Sequence, residues 1–160
     1  MTRLAVTQGL MPSMIDRLID PNSAGTIARR GYGIEQMVDV VRRDLEDLLN
    51  TRLSQVAVAP EFEHLRNSVY AFGLPDFTST SAYTPEQRSS LGRIIEVTVE
   101  RFEPRLRNVR AILMTEGDTE DRSVRFHIDA RLRVEPSPEV GFETTLELTT
   151  GHASIVPSKG

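Results

Sequence analysis

The stretch "SVRFHIDARLRV" (Ser123–Val134) alternates apolar and polar side chains six times without a slip. Successive side chains of a β-strand point to opposite faces of the sheet, so strict alternation buries one face and leaves the other in water. The apolar positions are Val124, Phe126, Ile128, Ala130, Leu132 and Val134, and the positions between them are Arg125, His127, Asp129, Arg131 and Arg133. The stretch therefore predicts a strand that covers a core with one face only.

Two shorter runs of strand-forming residues flank this stretch. "VRAILM" (109–114) precedes it across the acidic turn "EGDTEDR", and "FETTLEL" (142–148) follows it across the loop "EPSPEVG". The outward positions of the middle stretch are rich in arginine, and those of the last run include Glu143 and Glu147. Opposite charges on facing strands stabilise a sheet. We therefore expect an antiparallel meander of three strands.

The residues before this meander have helical periodicity. From Ile34 to Leu49 the apolar side chains form one stripe with charged residues opposite, which predicts a long amphipathic helix. A second helix is expected from the N-cap Thr84 to Pro104, which cannot continue it. Residues 11–18 predict a short amphipathic helix. The expected fold class is α+β, with N-terminal helices packed on one face of a C-terminal three-stranded antiparallel sheet.

The length of 160 residues suits a single domain over residues 1–160. Within it we distinguish an N-terminal segment (1–33), a mainly helical part (34–103), a β-meander (104–150) and a tail (151–160).

Composition excludes several classes of function. The net charge is −4, which argues against nucleic acid as a general ligand, because phosphate binding needs a clustered cationic excess. The chain has no cysteine, so disulfides and zinc–thiolate sites are excluded. The sequence shows neither a signal peptide nor an apolar run long enough to span a membrane, so we expect a cytoplasmic protein without direct membrane insertion.

No pattern in the sequence indicates catalysis or a cofactor. The three histidines are His64, His127 and His152, and none has the spacing of a metal site. Nucleophile elbows and phosphate-binding glycine loops are absent from the sequence. We expect no catalytic residue, no metal, no cofactor and no small-molecule substrate.

The tripeptide Glu103–Pro104–Arg105 stands where the second helix must end. From the residues alone its charges could pair with neighbours such as Arg101 and Arg107, or could bind a partner protein. A third alternative is a peptidoglycan hydrolase with Glu103 as general acid, although such enzymes need a second, suitably placed carboxylate.

Three stretches in order resemble one known family. "VRRDLEDLLNTR" (41–52), "SVYAFGLPDF" (68–77) and "FEPRL" (102–106) occur at similar spacing in the type VI secretion baseplate subunit TssE. They equally resemble the baseplate-wedge, sheath-initiator proteins of contractile phages, a family also called lysozyme-like. The resemblance implies a structural baseplate component of a contractile injection machine, docked at the inner membrane, that initiates sheath polymerisation. A phage tail wedge protein is the alternative.

The resemblance also implies partners and sites. The wedge subunits TssF and TssG would bind Glu103, Pro104 and Arg105, and Arg43 on the long helix is a further candidate. The sheath subunits TssB and TssC would meet the C-terminal sheet. Because the last strand lacks the lysines that protect sheet edges, we expect it to lie at or near an exposed edge. The alternative is an edge covered by the protein's own N-terminal segment or C-terminal tail. The sheath-edge candidates are Phe142, Thr144, Thr145, Leu146 and Glu147.

Overall fold

The computed structural model describes residues 13–19, 32–54, 56–77, 85–114 and 123–158. The helices are α1 (Met14–Ile19), α2 (Ile34–Asn50), α3 (Glu63–Arg66) and α4 (Pro85–Phe102), with a 3₁₀ turn at Val69–Ala71. The strands are β1 (Leu106–Met114), β2 (Ser123–Leu132), β3 (Glu139–Glu147) and β4 (Ala153–Pro157). The α+β class is therefore confirmed. The predicted N-cap Thr84 lies outside the described residues.

The sheet has four antiparallel strands in the order β1-β2-β3-β4, which corrects the three-stranded prediction. The additional strand, β4, lies in the segment that the sequence pattern assigned to a tail. It pairs with β3 from Leu146 opposite Ala153 to Phe142 opposite Pro157. Five residues ending in proline are too few for a clear alternation pattern. The chain reverses through Gly151, whose φ of +68° lies in the left-handed region that glycine adopts without strain.

The first strand begins three residues earlier than its alternation indicates. β1 starts at Leu106, and its pairing with β2 is irregular between Arg107 and Arg110. Asn108 has a φ of +55° at this irregularity. A bulge shifts the side chains that follow it relative to the partner strand. The period-two pattern is therefore interrupted at the bulge, and the sequence did not indicate the residues of β1 that precede it.

The chain forms two compact units, Met1–Val40 and Val41–Gly160. In the first unit, Ser13 and Asp16 cap α1 reciprocally. The Ser13 N–H and hydroxyl donate to Asp16 Oδ2 at 3.1 and 2.6 Å, and the Asp16 N–H donates to Ser13 Oγ at 3.1 Å. The apolar residues of α1 are exposed: Met14, Ile15, Leu18 and Ile19.

The sheet belongs to the second unit. The predicted alternation of buried and more exposed side chains along β2 is confirmed from Val124 to Leu132. In α4 the buried side chains include Leu91, Ile95 and Val99, whereas Ile94 is 37% exposed. The α4 side chains also reach the edge of β1, as described next. The predicted packing of all N-terminal helices on one sheet face stays a prediction.

The outer edge of β4 is occupied by polar side chains of α2. The Nδ2 of Asn50 donates to the carbonyl of Ala153 and its Oδ1 accepts from the Ala153 N–H, both at 2.9 Å. Arg42 Nη1 donates to the carbonyl of Ile155 at 3.5 Å, and Pro157 has no N–H. Unpaired edge groups recruit strands from other chains unless they are covered. α2 thus takes up backbone groups that an added strand would need.

The free edge of β1 is covered in a similar way by α4. Glu96 Oε1 accepts from the Ala111 N–H at 3.0 Å, and Oε2 accepts from Arg93 Nη1 at 3.0 Å. Burial raises the pKa of the Glu96 carboxyl, but the Ala111 N–H and Arg93 outweigh it and hold the pKa below its ordinary value. A Cβ at Gly92 would lie 3.3 Å from the Ala111 carbonyl, so glycine permits this close approach of helix and strand.

Thr144 lies on the inward face of β3 and is 1% exposed. Its hydroxyl oxygen is buried without a hydrogen-bond partner among the described residues. An unsatisfied buried polar group costs about 1 to 3 kcal/mol. We expect Thr144→Val to raise the free energy of unfolding by about 1 kcal/mol, because it removes that group and keeps the branched shape. Urea denaturation measures this change.

The matched control is Thr145→Val, the next residue along the strand, which is half-buried on the outward face. Its effect should stay within about 0.5 kcal/mol, as is usual for surface substitutions. A Thr144→Val protein less stable than the native chain would show that the hydroxyl has a stabilising partner.

Candidate partner-binding site

The three stretches that carry the family resemblance meet at the C-terminal end of α4. The helix ends at Phe102, as the proline predicts, and the Glu103 N–H makes the last helical bond to the Val99 carbonyl at 2.8 Å. Pro104 has no N–H to offer and turns the chain into β1. Glu103 and Arg105 therefore stand at a corner between a helix and a strand.

Glu103 and Arg105 bind each other. Glu103 Oε1 accepts from the Arg105 N–H at 3.0 Å and from Arg105 Nε at 2.7 Å, while its Oε2 accepts from Arg105 Nη2. The side chain of Glu103 is 5% exposed and that of Arg105 is 28% exposed. The pairing with Arg101 or Arg107 that the residues alone allowed is not what the structure has.

A second carboxylate completes the cluster from α2. Asp44 Oδ2 accepts from Arg105 Nη2 at 2.6 Å, and Asp44 Oδ1 accepts from Arg43 Nη2 at 2.9 Å. We call Arg43, Asp44, Glu103 and Arg105 the corner cluster. Hydrogen bonding to Glu103, only partly offset by burial, raises the pKa of Arg105 above its ordinary value, and Asp44 adds to this. Arg105 is thus a permanent cation between two acids.

The middle stretch supports this corner through apolar and backbone contacts. Phe72 packs edge-on against Phe102, with ring centroids 5.4 Å apart. The Leu74 N–H donates to the Thr51 carbonyl at 2.9 Å, and the Leu53 N–H donates to the Leu74 carbonyl at 2.8 Å. These bonds form a parallel bridge between the residues after α2 and the loop before α4.

Arg52 extends the same junction. Its guanidinium lies 4.9 Å from the ring centre of Phe77, which is buried, and its Nη2 donates to the Thr150 carbonyl at 2.9 Å. Cation–π contacts of this kind stabilise by about 0.5 to 2 kcal/mol. Because Arg52, Phe77 and Thr150 come from three segments, this contact joins the helical part of the second unit to the β3–β4 turn.

Sequence reasoning missed Asp44. The helical pattern assigns it, like the other charged residues of α2, to the face opposite the apolar stripe, whereas the Asp44 side chain is only 30% exposed and binds Arg105. One feature of the sequence could have indicated partial burial of Asp44. It directly precedes the buried Leu45 and therefore lies at the margin of the apolar face of α2. The partner, however, lies 61 residues away, and local patterns cannot identify it.

The sheath-edge candidates all lie on β3, which is an interior strand. Between Phe142 and Leu146 it pairs with β2 on one side and β4 on the other, so its backbone offers no free edge there. The expected exposed edge on this strand is therefore corrected, because β4 covers β3, and side chains of α2 in turn bind the outer edge of β4. Phe142, Thr144 and Leu146 are buried, Thr145 is half-buried and Glu147 is exposed. Their role in sheath binding stays a prediction.

The geometry of Glu103 does not suit a general acid. Both carboxylate oxygens are taken by Arg105, and the side chain lies 5% exposed at the corner. Asp44 is a second carboxylate nearby, but the Nη2 of Arg105 lies between the two acids and binds both. A glycosidase instead leaves its carboxylates open to a sugar cleft.

The outward face of the sheet holds a hollow of about 420 Å³. His127 Nε2 lies 2.9 Å from Asp129 Oδ1 within it, and Gly141 and Ser158 are among its lining residues.

Over the described residues no group of three or more acids and histidines could hold a metal ion. Among the helices in that same part of the chain, none is long and apolar enough to cross a membrane.

In this α+β fold the corner cluster joins α2 to the junction of α4 and β1 through ion pairs and leaves two arginines partly exposed. The chain belongs to the family of the baseplate wedge protein gp25, whose family model matches residues 35–137. That match covers all three stretches and the first two of the four strands. This is the family of TssE, so the resemblance drawn from the sequence is confirmed.

Membership of this family indicates a structural role in the baseplate of a phage tail or a related contractile injection machine, with other baseplate proteins as neighbours. No curated protein matches the chain, and no solved structure matches it.

Proposed function

We propose that this chain is the sheath-initiating subunit of a type VI secretion baseplate, held to the wedge subunits TssF and TssG through the corner cluster. The observation that carries the proposal is the convergence of the three stretches on that cluster. Glu103 is satisfied inside the chain and is 5% exposed, so we assign the partner contact to the two cations Arg105 and Arg43, whose side chains are 28% and 41% exposed and which Asp44 holds in place. Glu103 and Asp44 are positioning residues.

Preorganisation is the physical reason for this arrangement. An arginine held by two acids has already lost most of its side-chain freedom, so binding a partner carboxylate or carbonyl costs less entropy. A guanidinium also retains donors after making three hydrogen bonds, because it carries five N–H groups. Pro104 keeps the backbone direction at the corner constant.

The proposal also assigns the sheath subunits TssB and TssC to the outward face of the sheet. Thr145 and Glu147 on β3 face outward, and the same face carries the exposed apolar side chains of Ile112 on β1 and Val156 on β4, which lie in the row of Glu143. Apolar residues among charged ones on an uncovered sheet face suit a protein contact. In the cell the chain would act in the cytoplasm, within a baseplate docked at the inner membrane.

Co-purification with TssF and TssG tests the wedge contact. Arg43→Glu reverses a half-exposed charge, and Arg105→Lys keeps the buried cation but removes the bidentate fork. We expect each variant to weaken binding at least about tenfold, with the fold retained by circular dichroism. Loss of one desolvated charge pair costs about 2 to 5 kcal/mol at an interface.

The control is Arg93→Ala, which removes an arginine that is 73% exposed and paired with an acid on α4. It should leave binding unchanged. Wild-type binding by both Arg43→Glu and Arg105→Lys would refute the proposed wedge site.

A phage tail baseplate is the second candidate, because the matched family bears the name of a baseplate wedge protein. The genes beside this one decide between the two machines: secretion-system sheath and wedge genes would support our proposal, and tail-fibre and capsid genes would overturn it.

A further inference from the structure

Three exposed arginines lie at the end of the sheet next to the corner cluster. Arg107 on β1 stands directly opposite Arg131 on β2. Like charges placed opposite each other across an antiparallel pair destabilise a sheet. Arg131 pairs with Glu139 on β3, whereas Arg107 makes no ion pair with any residue that the structure describes. Glu139 therefore compensates the charge of Arg131, whereas the charge of Arg107 stays uncompensated among the described residues.

Arg133 adds a third guanidinium at the same place. Its N–H donates to the carbonyl of Arg105 at 2.8 Å, and its Nε lies 3.3 Å from the carbonyl of Leu106. The side chain has no carboxylate partner within the described ranges, and Glu135, two residues further on, forms no ion pair with it. Nε anchors the group, and the residue is exposed.

We propose that Arg107, Arg131 and Arg133, which we call the arginine patch, bind a carboxylate-rich segment of a partner protein. Guanidinium groups bind carboxylates bidentately, and several on one rigid strand end can grip successive acids of a peptide. The whole chain has a net charge of −4, so this concentration of positive charge is local. The inference rests on the proposed function only in assigning the acidic segment to a baseplate neighbour.

The patch lies beside the corner cluster, because the Arg133 N–H and the Arg105 carbonyl are hydrogen-bonded. The two sites differ in construction. In the corner cluster each charge has a partner inside the chain, whereas in the patch Arg107 and Arg133 have none among the described residues. A charge that destabilises the free protein and lacks a partner is expected to find one in the complex.

The test uses the full chain and a fluorescein-labelled peptide of ten glutamates, with binding followed by fluorescence anisotropy at low and physiological salt. We expect Arg107→Gln and Arg133→Gln each to weaken peptide binding at least about fivefold. The matched control is Arg125→Gln, because Arg125 is exposed on the same strand as Arg131 and faces Met114 and Thr145 instead of a charge. It should change binding less than about twofold.

The melting temperature gives a second, independent readout. Arg107→Gln relieves the repulsion with Arg131, so it should raise the melting temperature by about 1 to 2 °C while it weakens peptide binding. A residue with a purely structural role would lose stability and leave peptide binding unchanged.

Equal loss of peptide affinity in the Arg107, Arg133 and Arg125 variants would overturn the patch, because it would indicate unspecific charge attraction. Tighter binding of a labelled DNA duplex than of the glutamate peptide would overturn it in favour of a phosphate site. Normal assembly with wedge subunits by a peptide-deficient variant would refute its role in the baseplate and leave the corner-cluster proposal intact. Peptide binding without any wedge binding would refute the proposed function alone.

Discussion

Arg105→Ala is expected to lower the free energy of unfolding by about 3 to 5 kcal/mol, because it leaves the carboxylate of Glu103 buried without its counter-charge. Glu103 loses the bonds from Arg105 Nε and Nη2 and keeps only the bond from the backbone N–H of residue 105. Asp44 loses one partner as well. Urea denaturation followed by circular dichroism at neutral pH measures the loss.

A second substitution distinguishes a stranded charge from general damage at the corner. In the Arg105→Ala background, Glu103→Gln removes the uncompensated charge and should recover about half of the lost stability, or roughly 2 kcal/mol. The comparison variant Arg93→Ala removes an arginine that is 73% exposed and leaves Glu96 with its bond from the Ala111 N–H, so it should cost less than about 1 kcal/mol. Similar losses in Arg105→Ala and Arg93→Ala would contradict the burial argument.

The second large effect is expected at Gly73. Its φ of +111° is outside the range that residues with a side chain adopt easily, and a Cβ there would lie 2.4 Å from the Thr51 carbonyl oxygen. We expect Gly73→Ala to cost about 2 to 5 kcal/mol, since backbone strain and a forced shift of packed backbone add. The shift would also break the hydrogen bond between that carbonyl and the Leu74 N–H. Thermal unfolding measures the effect.

The control for this prediction is Gly33→Ala. A Cβ at Gly33 meets nothing within 4 Å, and its φ is not in the left-handed region. Its cost should be below about 1 kcal/mol, the usual difference between glycine and alanine at the start of a helix. A loss of stability in Gly73→Ala as small as that in Gly33→Ala would contradict the prediction. It would show that the backbone bridge between Arg52 and Leu74 can shift to accept a side chain at residue 73.

The positions of the long elements could be predicted from the sequence, because their signals are periodic and local. The alternation from Val124 to Leu132 gave β2 its buried face, and Pro104 gave the end of α4. The family resemblance could also be recognised from three short stretches. Each stretch alone is a weak indication of the family, but the three occur in the family's order and at similar spacing.

The fourth strand could not be predicted, because its signal is not local. The segment from Ala153 to Pro157 is short, and the Ala153 N–H and carbonyl bind Asn50, 103 residues earlier in the chain. The strand also covers the edge at which the sequence pattern placed the sheath contact. An edge is a property of the whole sheet, since it depends on which strand pairs last.

The sequence by itself determined the kind of fold, the helix end at Pro104 and the presence of an acid and a base at that corner. The tertiary structure alone decided what those charges do. Asp44 comes from α2, and together with Glu103 it surrounds Arg105. Coulomb attraction acts through space at a few ångströms, whereas sequence patterns report neighbours three or four residues away. The partners of the charges at this corner therefore became visible only when the chain was folded.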